Sequence, residues 1–110
     1  MKQVVFVLMA KEPCPGETKT RLVPPLTDEQ AADLYRALLL DSIAMLTGVD
    51  WADFAIAISP KKSAGYFQKI TPAGTQIIPI SGVDIGECLR IALGELLRLG
   101  YGKVIAVNAD

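Results

Sequence analysis

The chain has 110 residues, 51% of them hydrophobic, which is the length and apolar content of one folded domain and argues against a disordered segment. Eleven basic against twelve acidic residues give a formal charge of -1, so no basic footprint for nucleic acid is present. No apolar stretch approaches the roughly 18 residues that span a bilayer, and with no cleavable leader pattern a cytoplasmic protein without a membrane partner is expected.

The predicted elements alternate along the chain. Gln3 to Met9 is a Val/Phe/Leu run without polar alternation, the pattern of a strand covered on both faces. A stiff, basic loop follows from Ala10 to Pro25, with four prolines, Gly16, Lys11, Lys19 and Arg21. Thr27 to about Leu46 reads as a helix, because Ala31, Leu34, Tyr35, Leu38, Ser42, Met45 and Leu46 recur at spacings of three and four; Thr27 and Gln30 suit a capping box at its start. Phe54 to Ser59 is a second strand and Lys62 to Ile70 a short helix. Thr75 to Ile80 is a third strand, which Pro79 ends or confines to a sheet edge. A helix from Asp84 to Leu99 opens on Asp84 and Glu87 and closes at Gly100, and Lys103 to Asn108 is a fourth strand.

Strands alternating with helices imply parallel neighbours and right-handed crossovers, hence a three-layer α/β/α Rossmann-like domain spanning residues 1–110. The expected strand order is 3-2-1-4, which puts the C-terminal ends of strands one and four side by side and opens a ligand crevice there. An open edge on the fourth strand would invite self-association into a homo-oligomer unless another segment covers it.

The chemistry available to such a crevice is narrow. Without histidine, neither a Ser-His-Asp nor a Cys-His arrangement can form; Cys14 and Cys88 lack metal-ligand spacing and read as reduced thiols. Lys11, Lys19 and Arg21 would face the crevice from the first loop, where Gly16 lets the backbone approach an anionic ligand and Arg21 can grip phosphate oxygens bidentately; the competing reading is a solvated surface loop. "PGETKT" is not a P-loop, since Thr18 stands where glycine is needed, and GxGxxG is absent. Asp110 ends "VNAD", where a carboxylate either holds Mg2+ or Mn2+ or caps the next turn. Asp84 to Glu87 is read as helix capping or ligand contact, Cys14 as an incidental loop thiol, and Trp51 as packing.

"AKEPCPGETKTRLVPPLTDEQAADLYRALLLDS", with "DIGECLRIAL" and "VIAVNAD", resembles the glycosyltransferase-A-like nucleotide-diphospho-sugar transferases of the selenodomain-associated type. The most specific part is A-K-x-P-x-P-G-x-x-K-T-R-L, which runs ungapped from Ala10 to Leu22; its K-T-R-L core is also similar to that of phospholactate guanylyltransferase. The resemblance implies a metal-dependent transferase acting on a nucleotide or nucleotide-sugar donor. Gly16, Lys19 and Arg21 would contact the nucleotide phosphates, and Asp110 would bind Mg2+ or Mn2+. Family members tend to read Gly-Ser-Asp where this chain has Asn108-Ala109-Asp110, and arginine where it has Cys88. Proteins of this fold continue beyond the fourth strand, so the N-terminal, nucleotide-binding half of a larger transferase is expected. The alternative is a non-catalytic nucleotide- or protein-binding domain of the same fold; a flavodoxin-like regulatory domain finds no matching flavin loops.

Overall fold

A computed structural model describes residues 1–59, 61–80 and 84–109, with residue 61 described in its backbone alone. Strands β1 (Val4–Lys11), β2 (Ala52–Ser59), β3 (Gln76–Pro79) and β4 (Lys103–Asn108) form one sheet in the order β3-β2-β1-β4, parallel throughout. Helices α1 (Asp28–Thr47), α2 (Ala64–Ile70) and α3 (Ile85–Arg98) alternate with them. The strand order is the expected one, and Met9 pairs with Asn108 where β1 and β4 end together.

Strand β1 needs no polar residues because both of its faces are covered. Leu8 and Ala10 join Ile56 and Ile58 beneath Tyr35, Leu39, Ile43 and Leu46 of α1 and Phe67 of α2. Val5, Val7 and Met9 point the other way, joining Ala55, Ala57 and Ile78 against Ala92 and Leu96 of α3. The helices thus divide between the two faces, α1 and α2 on one and α3 on the other.

The caps are those the sequence announces. Thr27 and Gln30 close a reciprocal capping box: the Gln30 N–H donates to Thr27 Oγ1 at 3.1 Å and the Thr27 N–H donates to Gln30 Oε1 at 2.9 Å. Asp84 Oδ1 accepts the Glu87 N–H at 2.8 Å at the start of α3, and Gly100, at φ +111, follows its end.

Three expectations are corrected. The buried row of α1 is Ala31, Tyr35, Leu39 and Ile43 with Ala32 and Leu46, whereas Leu34 and Leu38 are about two-fifths exposed and Met45 is 62% exposed. The run Leu38-Leu39-Leu40 makes α1 apolar on several sides, so periodicity alone cannot choose the face; contact with the sheet does. Strand β1 extends to Lys11 because Lys11 pairs with Ser59, which moves that lysine from the loop to a strand tip. The segment before α2 opens as a 3-10 turn, Lys61–Ser63, ahead of Ala64.

At the opposite end of the strands from the crevice, Asp53 ties three segments together. Its Oδ2 accepts the Lys2 N–H at 3.1 Å and the Tyr101 O–H at 2.8 Å, while the Lys2 ammonium donates to the Asp50 carbonyl. The Tyr101 bond first, and then the Lys2 contacts, hold the Asp53 carboxyl below its ordinary 3.8 despite partial burial; burial and the same bond push Tyr101 up to about 12. A depressed carboxylate contributes stability above its unfolded pKa, and that contribution is lost as pH falls through the folded value. Urea midpoints of the native chain should therefore fall more steeply below pH 3.8 than those of Asp53→Asn. Tyr101, raised, contributes below pH 10.0 and loses that contribution as pH rises through about 12. Equal acid slopes in the two proteins would remove Asp53 from this account.

Candidate functional site

The C-terminal ends of β1 and β4 border a crevice of about 420 Å³. Met9, Ala10, Tyr35 and Ile80 supply apolar wall, and Lys11, Ser59, Asp84 and Asn108 bring polar groups to it, with Ile85 and Cys88 at the start of α3. An apolar pocket with a few convergent polar groups, at the reversal of strand order in a parallel sheet, is where open α/β folds bind ligands.

The loop above this crevice closes on itself before it turns into α1. The Glu17 and Thr18 N–H groups donate to the Cys14 carbonyl at 3.1 and 3.0 Å, and the Cys14 N–H donates to Thr18 Oγ1 at 2.8 Å. Thr18 is buried by this turn, and Gly16 sits in it at φ +85, a conformation that a side chain would strain even though a Cβ there would meet nothing closer than Asp28 Oδ2, at 3.9 Å. Lys19 then adopts left-handed backbone, φ 52, and leads into the 3-10 turn Thr20–Leu22 that carries Arg21.

The sequence-nominated residues take different places around the crevice. Lys11 lines it from the tip of β1. Lys19 rests its ammonium 5.9 Å from the centroid of the Tyr35 ring, and that ring is part of the crevice wall. Gly16 and Arg21 are exposed on the loop and do not line the crevice. Asp110 lies outside the described residues, while Asn108, two positions before it, lines the crevice.

Two contributions were not singled out from sequence as site residues. Tyr35 counted only as an apolar member of the α1 row, yet its hydroxyl accepts the Lys11 N–H at 3.0 Å. The usable signal was chemical, since a tyrosine in a buried row must find a partner for its oxygen. Ser59 reaches the crevice because its strand runs one step beyond the apolar core, beside Lys11. Asp84 caps α3, as one of its two readings has it, and it also lines the crevice.

The remaining candidates are accounted for structurally. A hydrogen bond with Glu17, then burial and the charges of Glu17 and Glu12, raise the Cys14 thiol above its usual 9.0, outweighing Lys62; it stays protonated at neutral pH and is a poor nucleophile. Trp51 lies tilted on Phe6 at 5.6 Å, 63% exposed, next to the start of β2 and away from the crevice. No described helix is long and apolar enough to cross a membrane.

The all-parallel β3-β2-β1-β4 sheet with helices between its strands is the α/β architecture of a solved structural neighbour. That neighbour is the crystal structure of a "putative nucleotide-diphospho-sugar transferase" from Desulfovibrio desulfuricans G20, on which the chain superposes with a TM-score of 0.91 and 27% identity. The match covers 100% of this chain and 48% of that one, so the chain spans about half the length of its neighbour. No family model matches the chain, and no curated protein does.

Proposed function

We propose that this chain carries the nucleotide-phosphate half of a metal-dependent transferase that acts on a nucleotide-activated donor, either a nucleotide-diphospho-sugar or a nucleotidyl donor. The observation that carries the reading is a crevice at the C-terminal ends of the strands, lined by Lys11 from the tip of β1, with Lys19 of the following loop against the ring of Tyr35 in its wall. Lys11, Gly16, Lys19 and Arg21 are assigned to the phosphates. The apolar wall of Met9, Tyr35 and Ile80 suits the flat face of a base or ribose.

Departure of a nucleoside diphosphate concentrates negative charge on its phosphates, and cations already aimed at that position lower the barrier without reorganising. Lys19 supplies a movable point charge for this and Arg21 a planar fork. The described donor set is sparse: Asp84 is the carboxylate of the crevice wall, and the described residues contain no group of three His, Cys, Asp or Glu able to hold a metal. Such a site suits Mg2+ or Mn2+ held by one or two carboxylates, with Asp110 assigned here, and by the ligand's own phosphate oxygens. The ion would supply additional charge neutralisation at the diphosphate. A second reading, a non-catalytic nucleotide- or protein-binding domain, draws on the engagement of Asp84 as a helix cap, which leaves no evident general base among the described crevice residues.

A thermal-shift titration separates these ideas. A nucleoside diphosphate with Mg2+ at 100 times its dissociation constant should stabilise the chain by about 2.7 kcal/mol, and Lys19→Ala should require a higher ligand concentration for the same shift. An unmoved melting temperature with every nucleotide would sink the phosphate reading. A shift that Lys19→Ala leaves intact would remove Lys19 from it.

A further inference from the structure

We infer that Tyr35 is the positioning residue of the phosphate loop, one buried side chain that holds the loop at both ends. This rests on the phosphate reading of the loop for its functional consequence, but the mechanical part stands on contacts already described. Tyr35 is 2% exposed and belongs to the α1 row that packs on the sheet, so its ring is fixed by the core. Its hydroxyl takes the Lys11 N–H at 3.0 Å, where β1 hands over to the loop. Its ring face carries the Lys19 ammonium at 5.9 Å, where the loop hands over to the 3-10 turn.

Between those two points Pro13 is buried. Residues 14 to 18 are closed by three hydrogen bonds of their own. A closed turn hung from two attachments takes its orientation from whatever holds them, and here both attachments lead to the same residue. Lys19 also has a backbone, φ 52, that an L-residue with a Cβ adopts only at a cost, which a contact at its side chain helps to offset.

The consequence concerns how the loop binds. A lysine free in solvent must lose its rotamer freedom when it grips a phosphate, whereas Lys19 is already partly ordered at the crevice edge. Because Tyr35 also forms part of the crevice wall, a ligand against that wall and a phosphate on Lys19 are tied to one rigid side chain. Tyr35 thereby sets the distance between the pocket that receives the ligand's apolar part and the cation that receives its charge.

The test uses two variants of the full chain and two readouts. Tyr35→Phe deletes the hydroxyl and keeps the ring; Tyr35→Leu deletes both attachments. Trypsin cleaves after Lys19 and Arg21, so the rate of cutting at these sites under native conditions reports loop opening. It is normalised to cutting after Arg90, in the middle of α3, which reports unfolding of that helix rather than fraying of an end. Tyr35→Phe should raise normalised loop cutting by about fivefold, and Tyr35→Leu should raise it further. If Tyr35→Leu fails to fold, Tyr35→Phe carries the test. The second readout is calorimetric: Tyr35→Leu should weaken a nucleoside diphosphate more than the parent nucleoside, and less so in a Lys19→Ala background. Unchanged normalised cutting in Tyr35→Phe overturns the assignment, as does equal weakening of nucleoside and nucleoside diphosphate by Tyr35→Leu. Absence of nucleotide binding by the native chain, with loop cutting still accelerated in the variants, refutes the phosphate reading alone and upholds Tyr35 as the loop's holder.

Discussion

Phe67→Ala is expected to lower the free energy of unfolding by about 3–5 kcal/mol, read from the midpoint and slope of a urea titration. Phe67 is fully buried, packs edge-on to Tyr66 at 5.1 Å, and anchors α2 on the face where Ile56 and Ile58 of β2 meet α1. Helix α2 has seven residues, of which Phe67 is the fully buried one, with Ala64, Tyr66 and Ile70 packed partly buried against the same cluster. Neighbouring side chains cannot easily fill the space, because Leu39 and Tyr35 are themselves fixed between α1 and the strands. Phe67→Leu, which retains more of the volume, should cost markedly less. Similar losses from the two substitutions would mean that the site relaxes around the change.

Arg21→Ala is expected to weaken binding of a nucleoside diphosphate with Mg2+ by about 10- to 100-fold while leaving the urea midpoint unchanged. Arg21 is exposed on a 3-10 turn, and its removal exposes no core, so an effect on ligand without an effect on stability isolates contact with phosphate. Arg21→Lys should recover only part of the affinity, since an ammonium replaces the charge but not the paired N–H geometry. Affinity for the nucleoside lacking phosphate should stay constant across the series. Isothermal titration of both ligands checks this, and parallel losses for the two would place the fault in the pocket rather than at the phosphates.

How much of this was legible before the structure differs by element. Burial on both faces followed from apolar runs without alternation, and β1 bears this out with Val5, Val7 and Leu8 fully buried; the strand order followed from strands alternating with helices in a doubly wound arrangement, and the sheet has it. The ends of α1 and α3 were legible because capping is local: Thr27 with Gln30 and Asp84 with Glu87 need only each other. The buried face of α1 was not legible, because Leu34 and Leu38 are as apolar as Leu39 and Ile43, and the sheet alone decides between them. The charges of the first loop could be read, but their direction depends on where Tyr35 stands, a contact across 24 positions for Lys11. No local pattern encodes that distance.

The junction that frames the crevice joins two strands almost the whole sequence apart, with Met9 opposite Asn108. Closing so long a stretch of chain costs more entropy than pairing β1 with β2, and it returns nothing until the register is made. Strands β1 to β3 can therefore assemble during synthesis while the crevice still lacks the side that Asn108 of β4 supplies. The crevice is complete only at that long-range closure, so its completion reports completion of the sheet.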